Sequence, residues 1–374
     1  MDTIIFDAYI AIFKWLTNKD ILHMRAVCRH FNYMISNENL GIIIIKIKDY
    51  KKIYIEQMKY IKNLYFDLRL CMPVIIKYNK IISLTLMTNN YSFSDEYIVK
   101  FTNITTLSLF GNTGITNKGL RQLSKLTNLN IEDNSITKLN NLKNITSLKL
   151  GYNMSVDDND LISLTNLKTL MLPEKSYLRS QKTLISDISI MNLTNLTILS
   201  MPNTVITDFG LSCLTKLKVL FIENNLLISN ESIKKLINLT NLKFKNNTKI
   251  NDYSLQFLSL LETLYISNTN VSDVVLQKLT NIKTLTMANN ELVTDSGIKN
   301  LTNITSLTLE RMNISDHGLQ FLTNITDLHL RDTWNITNAF LENMISLKNF
   351  IGPYRYINIT KLSNLQYNNH NQIR

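Results

Sequence analysis

The chain has 374 residues, 45% of them hydrophobic and 18% charged, a balance that excludes intrinsic disorder and supplies enough apolar side chains for a continuous core. Lys and Arg total 40 against 29 Asp and Glu, a net charge of +11. Because Asn, Ile and Lys are all abundant, as AT-rich codons would give, the basic excess does not by itself point to nucleic acid.

In chain order, residues 1–40 read as two short helices. Ile12, Phe13 and Leu16 share one helical face. Thr17 and Asp20 make a capping-box-like start for a second helix that carries Ile21, Met24, Val27, Cys28 and Phe31. Asp2 and Asp7 interrupt the apolar start and no basic stretch precedes it, so an export signal is not expected. On spacing alone this is a small helical subdomain, which could serve simply to cap a stack of repeats. It also resembles the F-box. Ile12-Phe13-Lys14-Trp15-Leu16 matches that family's first helix. Asp20-Ile21-Leu22 matches its second start, and Val27-Cys28-Arg29-His30-Phe31 its end. Asp7 stands at its acidic position, and Ile4-Ile5 stands where the family has Leu-Pro. The resemblance implies that Ile4, Ile5, Leu16, Leu22, Val27 and Cys28 contact a Skp-type adaptor within a cullin ubiquitin ligase.

Residues 41–80 form a connecting segment and an irregular first repeat, in which Leu64 and Phe66 are a worn copy of a phrase that is regular from residue 81 onward. Lys46, Lys48, Lys51, Lys52, Lys59 and Lys62 alternate there with Ile and Tyr, as on a solvated face, so nucleic-acid binding is not expected. The apolar run at 41–46 is far too short to cross a membrane.

Over residues 81–360 one phrase returns: apolar-x-x-Leu-x-apolar-x-x-Asn. It reads Ile81, Leu84, Leu86, Asn89, then Ile104, Leu107, Leu109, Asn112. Later copies centre on Leu129, Leu148, Leu170, Leu199, Leu220, Leu242, Leu264, Leu285, Leu307 and Leu328, with a worn copy at Leu347 and Phe350. Side chains alternate along a strand, so the two apolar residues point into a core and the one between them points out. The Asn amide can donate and accept where the chain turns. In its clearest copies the second half reads Ile-Thr-Asp-x-Gly-Leu, as at 206–211, where Thr before Asp is a helix start and the leucines face the core. Residues 361–374 form a tail.

This pattern resembles the leucine-rich repeat, mixing the phrase of F-box relatives with the short period of internalin-type repeats. The implied fold is an α/β leucine-rich-repeat solenoid, with a parallel β-sheet on a concave face and short helices or turns on a convex face. An F-box-like helical subdomain precedes it. The composition is reminiscent of AT-rich giant-virus or protist proteins. Asn-x-Ser/Thr sequons at Asn103, Asn192 and Asn303 fall inside a repeated Leu-Thr-Asn phrase and read as by-products of the repeat.

Irregularities carry expectations of their own. From Leu170 to Leu199 the step is 29 (199 − 170), and residues 173–182 should bulge out. Leu129 to Leu148 is only 19 (148 − 129), too short for a helix. Lys175, Thr204, Thr269, Met312 and Thr333 replace the turn Asn and should loosen the ladder there. Cys28, Cys71 and Cys213 are too dispersed for a disulfide framework or a zinc site and fit a reducing, cytoplasmic setting. The five histidines show no metal spacing, so neither catalysis nor a cofactor is expected. The function class is therefore protein binding. The resemblance makes the chain a monomeric substrate receptor bound to a Skp-type adaptor and cullin complex, with a protein substrate on the repeats. A scaffold without a ubiquitin link is the alternative. Phe110, Phe221, Lys243, Tyr265, His329 and Arg331 are the candidate partner-binding residues of the sheet face, with Glu223, Lys245 and Glu310 beside them.

Overall fold

The computed structural model describes residues 81–87, 94–111, 114–132, 136–139, 141–151, 156–173, 185–337, 339–340 and 344–352, and the backbone of two earlier strands at 45–46 and 63–67. The chain divides into two compact units, Met1–Val156 and Asp157–Arg374. In the first, the elements run β1 (Ile45–Lys46), β2 (Asn63–Asp67), β3 (Ser83–Met87), α1 (Asp95–Ile98), β4 (Thr106–Phe110), α2 (Asn117–Leu120), β5 (Asn128–Glu132) and β6 (Ser147–Leu150). The second begins α3 (Asp158–Leu161), β7 (Thr169–Met171), α4 (Asp187–Ile190), β8 (Ile198–Ser200), α5 (Asp208–Leu211), β9 (Val219–Glu223), α6 (Asn230–Ile233) and β10 (Asn241–Lys245). It continues α7 (Asp252–Leu255), β11 (Thr263–Ser267), α8 (Asp273–Leu276), β12 (Thr284–Ala288), α9 (Asp295–Ile298), β13 (Ser306–Glu310), α10 (Asp316–Leu319), β14 (Asp327–Arg331) and β15 (Asn349–Ile351).

Within each unit the strands are parallel and lie in sequence order, each coil pairing with the next. Equivalent leucines fall in register: Leu220, Leu242, Leu264, Leu285 and Leu307 are direct neighbours and fully buried. The worn first copy joins this register, with Leu64 and Phe66 opposite Leu84 and Leu86. So does the worn last copy, with Phe350 opposite Leu328. The α/β leucine-rich-repeat architecture is therefore present, with helices of a single turn. No helix occurs between β5 and β6 among the described residues, in the coil of only 19 residues (148 − 129). The stretch 174–184, which holds most of the expected bulge and Lys175, lies outside the described residues. So do residues 1–40 and the tail.

Polar side chains bind coil to coil, and they account for the rest of the repeated phrase. A Thr or Ser is the N-cap of most helices, accepting from the second helical N–H as Thr207 does from Phe209. Asn251 does the same before α7, Asp157 forms a capping box with Asp160 at α3, and the Ser94 side chain makes no cap bond. The Thr or Ser N-cap also donates both its N–H and its hydroxyl to the Asp of the previous coil: Thr207 to Asp187 at 2.8 and 2.6 Å, and Thr294 to Asp273 at 2.8 and 2.6 Å. Where the phrase has Gly, an added Cβ would collide with that carboxylate, as at Gly210, Gly297 and Gly318. Where it has Ser, the hydroxyl joins in, as Ser189 does toward Asp158 at 2.6 Å.

The Leu-Thr-Asn phrase has the same logic. Asn195, Asn238, Asn281, Asn303 and Asn324 each donate to the Thr or Ser carbonyl of the preceding coil at 2.8–3.0 Å. The threonine two residues on donates to the preceding coil as well, as Thr305 does to Lys283. The sequon residue Asn303 is thus an inter-coil rung, Asn103 accepts from Lys125, and Asn192 donates to Ile188 O.

The expected loosening does not occur at Thr269, whereas β8, ahead of Thr204, pairs with β9 over only three residues and β14, ahead of Thr333, pairs with β15 over only three. Thr204 and Thr269 are buried, and each donates its N–H to the Asn of the next coil, Asn225 and Asn290, at 2.9 and 3.0 Å. The Thr269 hydroxyl donates to Asn290 too, so the shorter side chain still offers a polar hydrogen to the turn. Met312 is buried as an apolar substitute. The pairing of β11 with β12 and of β13 with β14 runs over five residues, as between β9 and β10. Thr333 differs, because its buried hydroxyl lacks a hydrogen-bond partner.

Candidate protein-interaction face

In the second unit the residues between the core positions line up across the sheet. One row runs Met171, Ser200, Phe221, Lys243, Tyr265, Thr286, Thr308, His329 and Ile351. Two residues on, a second row runs Glu223, Lys245, Ser267, Ala288, Glu310 and Arg331. Strand alternation leaves both rows half-buried to exposed, and the residue between them on each strand is buried.

The candidate residues fall into two groups. Phe221, Lys243 and Tyr265 occupy three successive strands, so the two rings are about 10 Å apart at the usual strand spacing. Lys243 lies between them. Its Nζ pairs with Glu223 and stands 6.0 Å from the Tyr265 ring centroid. His329 and Arg331 share β14, three strands beyond Tyr265. Arg331 approaches Glu310 at 3.8 Å, and Arg311 approaches the same carboxylate at 3.9 Å. Burial, followed by the Arg331 charge and against the pull of Glu310, holds the His329 imidazole below its ordinary value. The strands between the two groups, β12 and β13, present Thr286, Ala288 and Thr308, and only Glu310 is large there. Phe110 ends β4 in the other unit. Ile4, Ile5, Leu16, Leu22, Val27 and Cys28 lie outside the described residues.

One feature of this edge has no counterpart in the sequence-based expectations. Asn203, Asn224, Asn246, Asn268, Asn289, Arg311 and Asp332, the residues directly before the buried turn position, all have positive φ. Asn tolerates that conformation better than most residues. The side chains of Asn203, Asn224, Asn246 and Asn268 form an exposed ladder, each amide donating to the preceding one. Arg311 and Asp332 replace it with an ion pair at 3.2 Å. The visible signal is the Asn-Asn doublet at 224–225, 246–247 and 289–290.

Among the described residues no group of His, Cys, Asp and Glu could hold a metal ion, and no helix is long and apolar enough to cross a membrane. Cys213 is exposed and free. The arrangement of rings, cations and carboxylates on a repeating sheet suits contact with another macromolecule.

The chain is similar to an internalin of Listeria monocytogenes (InlF), at 24% identity and a TM-score of 0.57, over 80% of this chain and 88% of that one. It is similar to a leucine-rich-repeat protein of Leptospira interrogans at 20% identity and 0.53, over 90% and 98%. It also resembles Listeria InlJ, at 18% identity and 0.53 over 79% and 68%; that protein includes a cysteine ladder, where the ladders here use Asn, Thr and Asp. No curated protein matches the chain by sequence. The described coils have the leucine-rich-repeat fold. Residues 6–43 match the family model of the F-box domain. The chain therefore has the make-up of an F-box/leucine-rich-repeat protein.

Proposed function

We propose that the chain is the substrate receptor of a Skp–cullin–F-box ubiquitin ligase in the cytoplasm. The observation that carries this reading is the F-box match at residues 6–43 directly ahead of a leucine-rich-repeat body. In this reading Ile4, Ile5, Leu16, Leu22, Val27 and Cys28 seat a Skp-type adaptor, and the sheet face holds the protein substrate. Phe221 and Tyr265 are the anchors, since aromatic rings presented by a rigid surface dominate interface energetics. Lys243, His329, Arg331 and Phe110 contribute orientation. No step of chemistry is assigned to the chain itself.

The test is co-purification of the full chain with a recombinant Skp-type adaptor. Binding is expected for the wild type and lost in an Ile5→Asp, Leu16→Asp double variant. A wild type that captures no adaptor refutes the ligase reading and leaves a binding scaffold whose first forty residues act as a cap.

A further inference from the structure

The helix side of the second unit carries apolar side chains that the repeat does not require. Each coil can serve as a control for the others. At the second helical position the chain has Glu96, Lys118, Asn159, Glu231, Ser296 and His317 in six coils, so no packing rule calls for an apolar residue there. Yet Ile188, Phe209, Tyr253 and Val274 stand at this position, 62%, 65%, 52% and 59% exposed. Four residues later most coils are polar, but α7 is followed by Phe257 and α10 by Phe321, both exposed. In the Thr-Asn phrase the same region replaces Thr by Ile237 and Asn by Leu260. Both are about half exposed, and Leu260 has no amide to make the rung its neighbours make. Seven such departures, Ile188 among them, fall on the five consecutive coils of α4 to α8, while Phe321 and Ile345 stand apart nearer the end of the repeats.

We infer that this patch is a homodimer interface, occupied by the same patch of a second copy. Three consecutive helices, α6, α7 and α8, pack side by side and present a grid of two rows. The upper row is Glu231, Tyr253, Val274, and the lower row, four residues on, is Lys235, Phe257, Lys278. A two-fold axis along the stacking direction, between the rows, sets each upper residue against the lower residue of the same coil in the other copy. Glu231 then meets Lys235 of the second copy, Tyr253 meets Phe257, and Val274 meets the aliphatic stem of Lys278. A two-fold axis across the coils would instead set Lys235 against Lys278. Neither lysine has a carboxylate partner among the described residues, and Glu231 pairs only within its own helix, with Lys234. The aromatic pair is already arranged edge to face within one copy, at 6.3 Å. At half exposure a large side chain offers on the order of 100 Å². The six grid residues with Phe209, Ile237 and Leu260 therefore approach the ~800 Å² per partner of a standard interface.

The dimer uses the helix side and leaves the sheet face free, so it stands independently of the ligase reading. The experiment is sedimentation velocity of the full chain over a concentration series. A reversible dimer is expected. Glu231→Lys and Lys235→Glu should each raise its dissociation constant at least roughly tenfold, because like charges then face each other. Combining the two should restore it, and Phe257→Asp should abolish it. Each variant is checked by thermal unfolding at concentrations where the wild type is monomeric, where it should change little because these side chains are exposed. A wild type that stays monomeric overturns the proposal. So does a dimer indifferent to Phe257→Asp, or one that the double charge swap fails to rescue.

Discussion

The Asp at the first position of a helix does two jobs at once. It carries negative charge where the helix end favours it, and it accepts two or three hydrogen bonds from the next coil. At Asp208 burial alone would raise the carboxyl. The hydroxyls and backbone N–H groups of Ser229 and Ser232 outweigh burial and hold it below the usual carboxylate value. A depressed folded-state value means that the stabilisation is fully present above the unfolded value, near pH 4, and is lost as pH falls through the folded one. Acid unfolding followed by circular dichroism should therefore begin at or below about pH 4, and Asp208→Asn should reduce that pH dependence. The glycine facing such a carboxylate is constrained by it. Gly210→Ala puts a methyl against Asp187, 3.0 Å from its Cα, and should cost about 1–3 kcal/mol in a denaturant titration. Gly210→Ser should cost less, because Ser189 and Ser232 show that a hydroxyl there donates to the same acceptor. Equal costs for Ala and Ser would sink this account.

At the scale of a coil, the rungs should be additive and local. Leu260 interrupts the asparagine series between Asn238 and Asn281. Leu260→Asn should re-form a bond to the Ile237 carbonyl and stabilise by about 0.5–1.5 kcal/mol, as measured by denaturant titration at concentrations where the chain is monomeric. A loss of stability would mean that Leu260 is retained for packing within the coil. The strands were legible in the sequence because Leu220 and Ile222, or Leu285 and Met287, alternate with period two. The helix starts were legible because Thr207 and Ser315 precede an acid. What was not legible is that Asp187 and Thr207 meet, since the bond joins residues twenty positions apart and each already has a local explanation. Thr269 was misjudged for the same reason: its partner, Asn290, comes from the following coil. Tyr253 and Phe257 lie off the repeating positions, so periodicity does not single them out. They emerge only when the coils are compared position by position.

For the molecule as a whole, every described coil offers acceptors on one flank and donors on the other, and the identity of these groups changes little along the second unit. Removing residues 230–251 would join Ser229 directly to Asp252, re-creating the Ser-Asp helix start found at 272–273 and 315–316. Ser229 would keep its bonds to Asp208, and Ser272 its bonds to Asp252. Such a deletion should retain a cooperative unfolding transition and a parallel-sheet circular dichroism spectrum. Removing half as many residues should not, since it would leave one coil's donors facing the wrong acceptors. A noncooperative melt for the whole-coil deletion would show that the junctions are not interchangeable.

The inter-coil rungs also bear on how such a gene can change. Because each junction is satisfied by the same few side chains, duplication or loss of a complete coil leaves no buried donor stranded, whereas a short insertion within a coil strands several. Length in this protein can therefore drift in whole coils, moving the sheet-face residues of one strand nearer to or farther from those of another. Tyr265 and His329 are set apart by a number of intervening strands, and that number can be altered in a single recombination event without redesigning the core.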